Sequence, residues 1–78
     1  MATQIEECFF LVKKTAIKIE SSYCTRVEGC MAINDSEEDS ALFIDMTEKA
    51  FRLIYSHNYV QNLRNNLFFG PDGMNIEN

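Results

Sequence analysis

Cys8, Cys24, Cys30 and His57 are the side chains of this chain best suited to chemistry. Thiolates and an imidazole could hold zinc, or act as nucleophile and base. Their spacing supports neither. Cys24 and Cys30 lie six positions apart, wider than the close pairs of zinc knuckles, and there is no second histidine. Nothing local sets Cys8 or Cys24 beside His57. The bland reading is small apolar cysteines and a partly buried histidine. The three glycines, Gly29, Gly70 and Gly73, are isolated, so no glycine-rich loop can cradle phosphate. Calcium ligation over Asp35–Asp45 fails for want of the sharp-turn glycine and the closing glutamate. No catalytic, cofactor-binding or metal-binding residue is assigned, and no enzyme activity is expected.

The densest charge is Asp35-Ser36-Glu37-Glu38-Asp39. Carboxylates in a first helical turn are favoured by the helix dipole, so this cluster reads first as a helix start capped by Ser36. Asp35-Ser36 also resembles the acyl carrier proteins, which implies a phosphopantetheine arm on that serine. Here the resemblance ends with the dipeptide. Glu37 stands where that family has an apolar residue, and Ala32-Ile33-Asn34 stands in place of its Leu-Gly.

Size and charge narrow the classes. With 78 residues the chain is one domain, and 46% hydrophobic content with six Phe and three Tyr is that of a folded protein. A chain this short buries only ~60% of its unfolded surface, which favours oligomerisation. Net charge is −5, with pI about 4.6. That argues against direct nucleic-acid binding and against anionic membranes. Residues 35–78 carry eight acidic and three basic side chains, whereas residues 1–34 are balanced. An odd cysteine count, no basic-then-apolar leader and no long apolar run predict a cytoplasmic protein with reduced thiols.

The elements that would position these residues read as helices. Ile5, Phe9, Val12, Ala16, Ile19 and Tyr23 recur at steps of four and three, and Thr3 with Glu6 fits a capping box. Phe10, Ile17, Cys24 and Met31 repeat every seven residues as a second apolar column. Gly29 suggests a stop or bend, and Asn34-Asp35-Ser36 a clear break. A second helix carries Leu42, Met46, Ala50, Leu53, His57 and Val60, with Ile44, Phe51 and Tyr55 on its far side. Asp45–Lys49 and Glu48–Arg52 have the i,i+4 spacing of helix ion pairs. Ser56-His57-Asn58 marks a further break, and Gly70-Pro71 a stop.

The sequence therefore predicts an all-α fold: an antiparallel helical hairpin of about 3–28 and 37–69, with three helices as a variant. Residues 1–70 form one helical domain and 71–78 a flexible tail. Two apolar faces per helix predict a homodimer, most simply a four-helix bundle. The alternative is α+β: a β-meander over 8–33 and a C-terminal helix, suggested by the run Cys8–Val12 and the alternation Ile17-Lys18-Ile19-Glu20. No internal repeat is evident.

The function expected is a non-enzymatic, small acidic protein-binding module. It would inhibit or adapt a larger protein through an aromatic patch rimmed by carboxylates, a type common among phage and mobile-element accessory products. Candidate contacts are Phe10, Ile17, Phe51, Tyr55, Glu37, Glu38 and Asp39. One alternative is an acidic nucleic-acid mimic, with Asp35, Glu37, Glu38, Asp39, Asp45 and Glu48 filling a basic groove. Another is an oligomeric nucleotide-binding protein using Lys13, Lys14, Lys18 and Arg26.

Overall fold

The chain alternates along short stretches, and each stretch pairs with the equivalent one a coil downstream. The computed structural model describes the backbone of residues 2–50, 52–67 and 74–77, with side chains for 3–46, 50 and 52–67. Its ten strands are β1 (Ala2–Glu6), β2 (Phe9–Leu11), β3 (Thr15–Ser22), β4 (Cys24–Glu28), β5 (Met31–Ile33), β6 (Leu42–Ala50), β7 (Arg52–Ser56), β8 (Tyr59–Gln61), β9 (Arg64–Asn66) and β10 (Met74–Glu77).

Every third strand belongs to the same sheet. The orders are β1-β4-β7-β10, β2-β5-β8 and β3-β6-β9, and every pairing is parallel. The chain thus winds as a three-sided parallel β-solenoid, each turn resting on the one before at ~4.8 Å. The first coil advances 22 residues, Phe9 meeting Met31. The second advances 28, Met31 meeting Tyr59, and the third 22 again, Arg52 meeting Met74. The extra length lies between β5 and β6, in the loop 34–41.

Inward side chains stack in columns. Thr3–Thr25–Leu53 and Ile5–Val27–Tyr55 run down the first sheet. Phe10–Ala32–Val60 runs down the second, and Ile17–Ile44 and Ile19–Met46 down the third. A register irregularity between Leu42 and Ile44 lets two successive residues, Phe43 and Ile44, both turn inside. Phe43 then ties the three sheets together. Its ring lies edge-on to Phe10 (6.2 Å) and to Tyr55 (5.9 Å).

This architecture corrects the expected all-α fold. No helix occurs among the described residues, so neither the hairpin, the four-helix bundle nor the C-terminal helix of the α+β alternative survives. The reason is a coincidence of rhythm. Within one side of a coil, inward residues are two apart. Across a corner they are five apart, as in Ile5, Phe10, Val12, Ile17 and Ile19. Steps of two and five sum to seven, so Ile5, Val12 and Ile19 mimic a heptad stripe while lying on different sides of the coil. The column Phe10, Ile17, Cys24, Met31 falls on all three sheets. Thr3 and Glu6 lie in β1, and Asp45 and Lys49 in β6, where the pitch is extended. Alternation at Ile17–Glu20 does mark a strand, β3, but its partner is parallel β6, so no meander forms.

The structure also contains the repeat that the sequence conceals, one coil after another. Gly29 does stand at a bend, with φ +65°. Residues 74–77, within the stretch expected as a tail, pair with β7. Gly70 and Pro71 lie outside the described residues.

Candidate functional site

Sheet β2-β5-β8 has the shortest strands and the most apolar exterior. Three-residue strands flanked by corners leave the middle residue inward and the outer two outward. Phe10, Ala32 and Val60 face the core; Phe9–Met31–Tyr59 and Leu11–Ile33–Gln61 form two external columns. Phe9 is 61% exposed, Leu11 63%, Met31 44% and Tyr59 54%. Four side chains of that size present roughly 400 Å² of contiguous apolar surface, within the range of patches that are often functional. The Tyr59 hydroxyl donates to Gln61 Oε1 (3.2 Å), joining the two columns at the third coil.

One bank of this face is the corner after the first sheet. Glu7, Gly29 and His57 occupy equivalent places there, all with positive φ (51°, 65° and 55°). With Glu6 and Glu28 they line an open cleft of about 280 Å³. Arg26 Nε lies 3.1 Å from one Glu28 carboxylate oxygen and the Ser56 hydroxyl donates to the other (2.7 Å). Neither ion pair resolved among the described residues involves Glu6 or Glu7. Next in the corner come Cys8, Cys30 and Asn58. Asn58 clamps two coils, its Oδ1 accepting from Cys30 N and its Nδ2 donating to Val27 O, both 2.9 Å. The Cys30 thiol makes the equivalent contact one coil up, to Ile5 O (3.7 Å). Burial pushes that thiol's pKa up, and the neighbouring Cys8 adds to the rise, against backbone N–H groups of Cys8 and Glu7 that lower it.

The other bank is the loop 34–41. Asn34 is buried beneath it, accepting on Oδ1 from the Ser36 amide (3.0 Å) and hydroxyl (2.6 Å) and donating to Glu38 O. Asp35, Glu37, Glu38 and Asp39 are exposed. The Ser40 hydroxyl (2.6 Å) and amide (3.2 Å) both donate to Glu38 Oε1, which holds that carboxyl below its ordinary range. Ser36, Glu38 and Ser40 face Lys13 and Lys14 across a cleft of about 570 Å³.

Among the candidate contacts, Ile17 is buried, and Phe10 and Tyr55 pack half-buried against Phe43. Glu37, Glu38 and Asp39 are exposed in a loop that starts no helix; the Ser36 hydroxyl donates to Asn34 and accepts from the Glu38 amide (3.2 Å) within that loop. Phe51 lies outside the described residues. The acidic row imagined along one helix is dispersed: Asp45 sits on β6, accepting from Asn66 Nδ2 (2.8 Å), and the Glu48 side chain is not described. Cys24 and Cys30 lie beyond opposite ends of β4's inward pair, and no three His, Cys, Asp or Glu gather as metal ligands among the described residues. Likewise, no described helix is long and apolar enough to cross a membrane.

Sequence reasoning missed Phe9, Leu11, Met31 and Tyr59 as a group. The available signal was apolar residues flanking an inward one in Phe9-Phe10-Leu11, repeated as Met31-Ala32-Ile33 after 22 positions. Compared with protein-family models, curated proteins and solved structures, the chain matches none.

Proposed function

We propose that the chain is a non-catalytic protein-binding module whose docking face is the exterior of sheet β2-β5-β8. The observation that carries this is the double column Phe9–Met31–Tyr59 and Leu11–Ile33–Gln61 on a three-coil stack, with Phe9, Leu11, Met31 and Tyr59 apolar and exposed. Aromatic and methionine side chains are the types enriched at interface cores. The face is already ordered by strand pairing, so binding costs little ordering entropy. Carboxylates on both banks favour one class of partner over others without adding apolar area.

The test is capture from a lysate with the wild-type protein and with the double variant Phe9→Ser, Met31→Ser, alongside melting curves for both. Both positions are exposed, so the variant should melt within a few degrees of wild type. A protein retained by wild type and lost by the equally folded variant supports the reading. Identical retained sets overturn it. Truncating a hot-spot aromatic costs about 2 kcal/mol or more, roughly thirty-fold in Kd, well within detection.

A further inference from the structure

The size and charge of this face constrain what occupies it. A stable homodimer buries ~800 Å² on each partner, about 65% of it apolar, which is more than the apolar area presented here. Strands of three residues also limit the face to about 10 Å along the chain direction. Such a surface accommodates two or three side chains of a single segment rather than a second sheet.

Charge points the same way. One bank carries Glu6 and Glu7, with Glu28 already engaged by Arg26 and Ser56. Across the sheet, Asp35, Glu37, Glu38 and Asp39 outnumber Lys13 and Lys14. Two copies set face to face would bring acidic banks together whichever way the twofold axis ran, in a chain of net charge −5. A segment with basic residues on either side of an apolar centre meets complementary charge at both ends.

Resting on the binding role proposed above, we infer that the occupant is a short protein segment with two or three apolar or aromatic side chains flanked by Lys or Arg, and not a second copy of this chain. The apolar centre lies over Phe9, Leu11, Met31 and Tyr59. One basic flank reaches Glu6 and Glu7, and the other reaches the carboxylates of loop 34–41. Rim charges of this kind act mainly on association rate and salt dependence, while the apolar centre sets dissociation.

The experiment is selection of displayed short random peptides on the immobilised wild-type protein, with counter-selection on Phe9→Ser, Met31→Ser. Enriched peptides are then measured as synthetic peptides at low and high salt and against Glu6→Gln, Glu7→Gln. The expected result is a set of apolar-centred, Lys/Arg-flanked peptides whose affinity falls about ten-fold in high salt and several-fold with the glutamine variant. Apolar peptides without basic flanks, indifferent to salt, would overturn the inference while leaving the docking face intact. Enrichment that the counter-selection removes entirely, leaving no peptide that needs Phe9 or Met31, would overturn the face as well. Sedimentation of the free protein supplies the remaining outcome: a concentration-dependent dimer abolished by Phe9→Ser, Met31→Ser would place a second copy on the face and overturn the choice of occupant.

Discussion

Asn34 and Asn62 sit one coil apart and bond reciprocally, each side-chain amide donating to the other's backbone carbonyl at 3.3 Å. Asn34 is 2% exposed, and its remaining polar capacity goes to Ser36 and Glu38. One buried amide thus anchors both the loop 34–41 and the coil beneath. Asn34→Leu keeps the volume but strands several of these partners. The loss should be about 2–4 kcal/mol by urea denaturation, at ~0.5–1.5 kcal/mol for each hydrogen bond removed. Asn62→Ala, at an exposed position, should cost less than half as much.

Among the described residues, Phe43 is the side chain in ring contact with both other sheets. Phe43→Ala should cost about 3–5 kcal/mol, the range for a buried aromatic replaced by a cavity. Ala32, fully buried between Phe10 and Val60 in the same interior, shows the converse. Ala32→Leu should destabilise by about 1–3 kcal/mol through overpacking, read as a lowered denaturation midpoint with unchanged slope.

The corner glycine distinguishes torsion from crowding. A Cβ at Gly29 would meet Glu7 Cγ at 3.4 Å and the Glu7 backbone nitrogen at 3.9 Å, both ordinary contacts, so any cost comes from φ +65°. The expected order of stability is Gly, Asn, Ala, Val. Gly29→Ala should lose about 1 kcal/mol, and Gly29→Asn less, because asparagine tolerates the left-handed region. Equal losses for Asn and Val would show that the conformation is not what matters there.

The thiols should differ in reactivity and in their link to stability. Cys8 is exposed, Cys24 intermediate and Cys30 buried, so alkylation of the folded protein should proceed in that order. Burial raises the Cys30 pKa in the folded state. The neutral thiol is therefore favoured by folding. Its contribution is complete below the unfolded value of about 8.5 and is lost as pH rises through the folded value. Measured against Cys30→Ala, the wild type's relative stability should decline from about pH 8 upward.

Glu38 has the opposite sign. Its carboxyl is lowered by the Ser40 hydroxyl and amide, so the contribution is present above the unfolded pKa and disappears as pH falls through the folded one. The Ser40 amide resonance should follow that titration with a midpoint below the ordinary carboxylate range. Ser40→Ala should bring the midpoint back towards it.

How much of this was legible beforehand depends on the level. Breaks at Gly29, at Asn34-Asp35-Ser36 and at Ser56-His57-Asn58 are all places where the chain turns, because glycine and short polar residues signal bends whatever elements they separate. The type of element was not legible. Three-sided coils space their inward residues so that a helical period fits as well as a strand period. The repeat was obscured twice over. Equivalent corner residues share a backbone conformation and not an identity, as Glu7, Gly29 and His57 show. The longer second coil also shifts every later match by six positions. An aromatic, acid-rimmed patch was expected on Phe10, Ile17, Phe51 and Tyr55, whereas the docking face proposed above rests on other residues. Helical geometry would have turned Phe10 and Ile17 outward; strand alternation puts them inside and presents their neighbours Phe9 and Leu11.

The register resumes after loop 34–41 as though the added residues were absent, Ala32 and Val60 aligning in one column despite the longer path between them. Length at that position is therefore decoupled from the stack. Descent with insertion, deletion or recharging of the loop could retune one shoulder of the proposed binding face while the scaffold stays fixed, so relatives of this chain should diverge fastest between Asp35 and Ser40.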